Sequence, residues 1–466
     1  MPLFSVSMGW LKSLGVAGLL PASSGCAIDY GIKSQADLEQ RIAASREIIQ
    51  ERKLEAKSLS TREKADYFEK RILNELIIFP YYIIPEDIEK GKPKLGHIEA
   101  TMHFLSALAY KYAATKDAET EVLASKVISS IIEMDRANGL DGYLPFKVAN
   151  EDGNLMQTIN EIHPNVYLQL FFSYVSAKRL FNSSEISEKI SFHSSLIASY
   201  FLRNDFVLRD NRGNVMGPGH SVGYNNLKST GITSHVDNLG GLSLIESCLY
   251  LIDKEKNPAL IQQLEKQKKY FLRKLNTNDK MQALSFKFLF MEFPTQSTHW
   301  LSFLSLHSDI ISSDKKCYRV ALKRLFWATR EQHNPLFDAL YLDSGFNINN
   351  RNREKLTNEI DFCLRTYPLT LNNREILNSF DLSIERRPPR TIKMMWQKEA
   401  KYPLPVYQRG LNGFNWKVNQ LALDENVKRT LTKRGIERTI GTGNATYTGN
   451  DYLLLYWMNE YLKTKG

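Results

Sequence analysis

The chain has 466 residues, 43% of them hydrophobic and 11% aromatic, and a net charge of +10. That apolar content supports a sizeable core and excludes a disordered or fibrous chain. The basic excess suits nucleic acid, anionic lipid or an acidic glycan; zinc-finger and aromatic-rich basic RNA-binding patterns are missing, so no nucleic-acid partner is expected.

Residues 1–30 read as an export signal. Lys12, after an alternative start at Met8, precedes a short apolar run from Ser13 to Ala22, and then comes Ser23-Ser24-Gly25-Cys26. The run is too short to span a bilayer, and small residues before a cut suit a signal peptidase. The segment resembles a bacterial lipoprotein signal. That resemblance implies a lipid on Cys26 and a place in the cell envelope, in the periplasm or on the outer membrane. Ordinary secretion stays open, as does a cytoplasmic protein if the signal does not operate. Residues 31–72 form a helical extension. Ser34 to Lys57 carries a thin apolar stripe among charges, and Ser60 or Thr61 caps a further helix that Pro80 ends.

The rest of the chain, 73–466, reads as one all-α domain built from two kinds of helix. Residues 98–114, 166–181, 239–252, 299–311 and 451–462 are apolar nearly all round, so they must be buried on every side. Residues 117–135, 185–201, 257–275, 315–330 and 352–365 are amphipathic. Alternation of the two kinds predicts a double ring of antiparallel hairpins, the apolar helices inside and the amphipathic ones outside. Strand signal is sparse, with one small hairpin about Asn211-Arg212-Gly213. That hairpin lies in a Gly- and Asn-rich excursion, 203–238, long enough to be either a functional loop over one end or a tolerated insertion. Cys248, Cys317 and Cys363 are far apart and fall in helical patterns, as small buried hydrophobes do.

Four histidines, His97, His163, His235 and His299, stand at or just before the start of apolar helices, 66, 72 and 64 residues apart. In a ring of hairpins the inner helices start on one face, whose unpaired N–H groups favour negative charge. The residues gathered there are His97 with Glu99, Asp141 with Tyr143, Glu161 with His163, His235 with Asp237, His299 with Trp300, and Asn450 with Asp451. Each also has a plain reading as a cap or a packing residue; Asp237, Asn450 and Asp451 are good N-cap types, and His163-Pro164 suits a cap with Pro in the first turn. Glu246, inside the apolar run 243–252, needs a buried partner and is either a hydrogen-bond hub or a tuned acid.

The helix alternation, with polar loops such as Asp141-Gly142-Tyr143-Leu144-Pro145 entering buried helices, resembles the six-hairpin glycosidase superfamily over roughly Leu73 to Lys463. The resemblance implies an (α/α)6 toroid and hydrolase or lyase action on a polysaccharide or oligosaccharide, neutral or acidic. It carries over no catalytic residue, and the same toroid also hosts terpenoid cyclases and prenyltransferases.

Glycoside hydrolysis needs two carboxyl groups about the scissile bond. Glu161 and Asp237 are the leading pair, with Asp141 as substitute. A lyase needs a base beside the sugar carboxylate, a role for His163, His235 or Tyr143, and a cation such as Arg386, Arg387 or Arg390 to hold that carboxylate. His97, His299, Trp300, Tyr143, Tyr224, Arg387 and Asp451 are the expected substrate contacts, the aromatics because sugar faces stack on rings. No short-range ligand spacing supports a metal, and the glycines of 441–449 lack the Gly-Lys-Ser/Thr ending of a phosphate loop, so no cofactor is expected. The alternative to an enzyme is a non-catalytic cell-envelope lipoprotein that binds a glycan or a protein partner.

The lipid anchor has a direct test. Cys26→Ala is expected to move the protein from the membrane to the soluble fraction on cell fractionation. A wild-type protein that is already soluble and keeps an intact N-terminus overturns the anchor.

Overall fold

A computed structural model describes residues 58–78, 80–84, 87–88, 95–137, 139–145, 147–151, 154–159, 164–210, 212–215, 235–274, 304–307, 311, 315–329, 335–345, 348–367, 369, 446–447 and 449–465. These residues are mostly helical with little strand. The export signal with Cys26, the helix expected at 34–57, and Glu161, His163, Tyr224, His299, Trp300 and Arg387 lie outside them.

The first helix, α1 (Thr61–Arg71), is capped by Ser60 as expected. Ser60 Oγ accepts from the Glu63 N–H at 3.2 Å, and Glu63 Oε2 accepts from the Ser60 N–H at 2.7 Å. Each end of this capping box satisfies a donor that the first turn leaves orphaned. The expected end at Pro80 is corrected: α1 stops at Arg71, one π turn follows over Ile72–Leu76, and an isolated bridge joins Ile78 to Ile83. Ile77, Ile78, Ile83 and Ile84 are all buried, and β-branched residues in such a run favour extended backbone.

Then the helices alternate. Helix α2 (Ile98–Thr115) is buried continuously from Ala100 to Tyr110. Helix α3 (Ala118–Arg136) is amphipathic, with Asp117 accepting from the Glu119 N–H. Helices α4 (Pro164–Leu180), α5 (Ser184–Arg203), α6 (His235–Leu251) and α7 (Pro258–Lys274) repeat the pattern. Residues 304–307 are buried. Helices α8 (Lys315–Thr329), α9 (Pro335–Asp343), α10 (Asn350–Thr366) and α11 (Asn450–Lys465) complete the described set. Helix α9 was not anticipated. At nine residues it is too short to show a period, yet every one of its residues is buried, and it supplies the apolar partner missing between two amphipathic helices.

Short strands lie before three of the buried helices. Strand β1 (Asp87–Ile88) pairs antiparallel with β5 (Thr446–Tyr447), just before α11. Strand β2 (Leu95–His97) runs into α2 and pairs with β3 (Lys147–Glu151), which pairs with β4 (Asn154–Ile159) before α4. This hairpin went unread although Asp152-Gly153 separates its strands, a strong hairpin signal. The turn expected about Asn211-Arg212-Gly213 is present as an isolated bridge from Arg209 to Val215.

The buried helices pack side by side in the order α9, α11, α2, α4, α6, with amphipathic helices against them: α1 and α10 on α11, α3 on α2, and α5 on α4 and α6. Bonds at both ends set their direction. Near the starts, Asn450 Nδ2 donates to the Ala100 carbonyl at 3.1 Å. At the finishes, Lys178 Nζ of α4 donates to the Tyr250 and Leu251 carbonyls of α6. Arg179 of α4 and Lys465 of α11 both reach Asp343, the last residue of α9. The five helices therefore run parallel. On the amphipathic side, the buried Lys64 Nζ of α1 donates to the carbonyls of Leu364, Arg365 and Tyr367, closing the C-terminus of α10. Burial lowers this lysine to about 8, while the carbonyl-rich helix end favours its charge.

Gly449 shows how tightly α11 is seated. Its φ is +87°, a region L side chains rarely enter. An added Cβ would lie 2.1 Å from the Phe68 ring of α1, which is itself held edge-on to Tyr367. Gly449→Ala combines left-handed strain of about 1–2 kcal/mol with overpacking of about 1–3 kcal/mol. A loss of about 3 kcal/mol in urea unfolding is expected, with the far-ultraviolet dichroism of the folded state unchanged.

Candidate functional site

The starts of α2, α4, α6, α9 and α11 gather at one end of the parallel set, with β2, β4 and β5 leading into α2, α4 and α11 there. His97 is the last residue of β2, opposite Lys147, and immediately precedes α2. Glu99 follows in the first turn, half-buried. His235 is the first residue of α6 and Asp237 the third, so both stand in its first turn.

The loop from Gly139 to Pro145 brings Asp141 and Tyr143 to the same end, and there the two residues part. Asp141 is exposed. Tyr143 is 1% exposed, its ring 5.9 Å from that of Tyr200. The expectation of Tyr143 as an open loop aromatic is corrected: its apolar ring gains more from burial against α5 than from facing water. Burial also pushes its hydroxyl above the ordinary range, a direction that works against a base role.

The loop is held by two buried side chains, one of them backed by a third. Gly142 N–H donates to Asp135 Oδ2 of α3 at 2.7 Å. Tyr167 Oη of α4 donates to the Gly142 carbonyl at 3.0 Å and accepts from the Leu144 N–H at 3.2 Å. His193 of α5 sets Nε2 3.2 Å from Asp135 Oδ2, and its Nδ1 meets Tyr174 Oη at 2.6 Å. Sequence reasoning missed Asp135 and His193. A signal was present: Asp135 continues the apolar stripe of Ile128, Ile131 and Ile132, a place where a charge needs a buried partner.

Asp451, expected as a substrate contact, is 5% exposed. Its Oδ1 accepts from Tyr367 Oη at 2.8 Å and from the Tyr452 N–H at 2.9 Å. Burial raises its carboxyl above the usual range, against the lowering effect of those two bonds. Seated this way it ties α11 to the end of α10, and the expectation that it opens to substrate is corrected.

The opposite end carries an ion cluster around the buried Asp343, with Lys465 reaching it from the exposed side. Asp343 Oδ2 accepts from Tyr110 Oη at 2.6 Å and from Arg179 Nη2 at 2.8 Å. Its Oδ1 accepts from Lys465 Nζ at 3.0 Å, and Arg179 Nη2 also reaches Tyr110 Oη. Four of the five parallel helices meet on this carboxylate. Burial works against its charge, but Arg179 and Lys465 prevail and hold it down at about 2.

Glu246 is a hub. Tyr318 Oη donates to it at 2.9 Å, Lys268 Nζ lies 3.4 Å away and His307 Nδ1 3.2 Å away. Burial works against the charge, yet these three neighbours leave the carboxyl lowered, opposite to what an acid poised near neutrality needs. Cys248 and Cys363 are buried, as expected of small hydrophobes.

Among the described residues no group of three metal-ligating side chains gathers, and no helix is long and apolar enough to cross a membrane. Comparison with protein-family models, with curated proteins and with solved structures finds no match.

The Asp343 cluster predicts an acid signature. The folded carboxyl at about 2 lies below its unfolded value of 3.8. Its contribution is fully present above the unfolded value and lost as pH falls from there through about 2. Two pH units correspond to roughly 2–3 kcal/mol. Arg179→Met strands the buried carboxylate, and a loss of about 3–5 kcal/mol at pH 7 is expected in urea unfolding. The stability of that variant should also fall less than wild type between pH 4 and 2.

Proposed function

We propose that the chain closes its hairpins into an (α/α)6 toroid and acts as a glycoside hydrolase at the end where the buried helices start. In this reading it resembles the six-hairpin glycosidase superfamily and works on a polysaccharide or oligosaccharide. It is exported and held to a bacterial envelope membrane by a lipid on Cys26.

The observation that carries the reading is the contrast between the two ends of the parallel helices. One end is cross-tied at Asp343, on which Tyr110, Arg179 and Lys465 converge. The other holds an exposed carboxylate, Asp141, and the start of α6 with His235 and Asp237. The lateral order α9, α11, α2, α4, α6 supports a ring in which these five helices are inner members. In this reading a sixth member includes the buried residues 304–307, where His307 lies 3.2 Å from Glu246 of α6. Helix starts on one face raise the potential there and favour ionised carboxylates.

In the hydrolase reading, Glu161 and Asp237 flank the scissile bond, one protonating the leaving oxygen and the other activating water or attacking the sugar. Asp141 replaces one of them if the excursion at 203–238 holds Asp237 away from the substrate. His97, His299, Trp300 and Tyr224 orient the sugar, and Arg387 grips a carboxylate where the glycan is acidic.

The test follows reducing ends and ultraviolet absorbance together, with purified protein on neutral and acidic polysaccharides. Hydrolysis is expected. Glu161→Gln and Asp237→Asn should each cut the rate by roughly a hundredfold or more, with the melting temperature nearly unchanged. Activity that is lost instead in His163→Gln and His235→Gln, with an ultraviolet-absorbing product, overturns the hydrolase in favour of a lyase. Absence of both turnover and glycan binding overturns the enzyme in favour of a non-catalytic envelope protein.

A further inference from the structure

We infer that Asp135, braced by His193, is a positioning residue that fixes the loop bearing Asp141. The inference rests on the proposed action at the helix-start end of the molecule, and its loop component is tested separately.

Both sides of one peptide group are held. Asp135 takes the Gly142 N–H, and Tyr167 takes the Gly142 carbonyl while accepting from Leu144 two residues on. Gly142 has φ +87°, and a Cβ there would meet the Leu196 carbonyl oxygen and the Tyr200 Cβ at 2.6 Å. The loop therefore lies hard against α5 and has no sideways freedom. Tyr143 is sunk into the core on one side of Gly142, and Asp141 faces out on the other.

The support is costly, which argues that rigidity at this loop matters. Asp135 and His193 are both 0% exposed. Asp135 Oδ2 serves the Gly142 N–H and faces His193 Nε2, while Oδ1 has no hydrogen-bond partner among the described residues. A buried carboxylate left half-satisfied costs stability that an apolar side chain would not. A solvated surface turn needs no such device. A carboxyl that must meet a reacting atom does, because its support has to hold it within about 0.5 Å of the productive geometry.

The chain of contacts also assigns the role of His193. Tyr174 Oη and His193 Nδ1 lie 2.6 Å apart, and the Nε2 edge of the ring stands 3.2 Å from Asp135 Oδ2 without a hydrogen bond between them. The imidazole stands against the carboxylate oxygen that takes the Gly142 N–H. It touches neither the loop surface nor any substrate, so it acts through Asp135.

Hydrogen–deuterium exchange on the full-length protein tests the clasp. In Asp135→Leu the loop amides at 140–144 should exchange about tenfold faster or more, while α4 and α5 keep their protection. Asp135→Asn keeps an acceptor for Gly142 and should leave the loop protected. Tyr167→Phe removes the second hold with almost no change in volume, so it decides the matter if Asp135→Leu does not fold; faster loop exchange is expected there too. Unaltered loop exchange in Asp135→Leu and Tyr167→Phe, or faster exchange spread through α4 and α5, overturns the inference. The functional arm compares Asp135→Leu with Asp141→Ala on the glycan that wild type cleaves. A fall in turnover in both, rescued by Asp135→Asn, supports positioning. Full turnover in Asp135→Leu beside loss in Asp141→Ala overturns it. If wild type cleaves no glycan, the carbohydrate reading fails on its own, and the exchange result still decides whether Asp135 fixes the loop.

Discussion

Helices laid side by side in one direction add their dipoles, and the structure is organised around meeting that field. The finishing ends of α2, α4, α6, α9 and α11 crowd unpaired carbonyls together, and the basic residues stand there. Lys178 bonds the last carbonyls of α6, and Arg179 and Lys465 converge on Asp343. A lone carboxylate at that end would be repelled; between two cations it becomes the point on which four helices close. At the starting ends the surplus is of N–H groups, and the residues are acidic: Glu99 in α2, Asp237 in α6 and Asp451 in α11. The polarity of the helices thus suits one end to anionic side chains and the other to cationic ones. The amphipathic helices obey the same rule in reverse, as Lys64 on the carbonyls of α10 illustrates.

The helices were legible because their burial pattern is written at every third or fourth residue. The stretches 98–114, 117–135 and 185–201 match α2, α3 and α5 to within a residue or two. Elements that lack a full period were not legible. Helix α9 is two and a half turns long and buried throughout, so it carries no amphipathic stripe. The β3–β4 hairpin lay between two helical signals, and its Asp-Gly turn was passed over. Of the candidate site, position along the helices was readable, but the direction of a side chain was not. Asp141 and Tyr143 differ by two residues, yet one faces water and the other the core, because Gly142 turns the chain with a positive φ between them. Asp451 looked like a cap open to solvent, and only the Tyr367 hydroxyl explains why it is buried.

The buried polar groups divide by partner rather than by residue type. Glu246 is held by a tyrosine, a lysine and a histidine, which suits a fixed structural charge. Asp343 is held by two cations. Asp135 faces a histidine and a backbone amide, and its second oxygen is left over. The first two join helices to helices. The third joins a helix to a loop at the helix-start end, so the three differ in what is being held and not in the degree of burial.

The seat of α11 has a consequence for how the molecule is made. This helix lies between α2 and α9, and Asn450 bonds Ala100 across 350 residues of sequence, while Tyr452 bonds Thr61 across 391. At ribosomal rates of about 5–20 residues per second, α2 waits on the order of tens of seconds for that neighbour. Throughout that interval one flank of its apolar surface is open to water or to other chains. Contacts of such range also slow the search, since loop closure is unfavourable until the distant pairing forms. Assembly is therefore governed by the arrival of a late segment, and the nascent chain spends its youth as an incomplete bundle that needs shelter from aggregation.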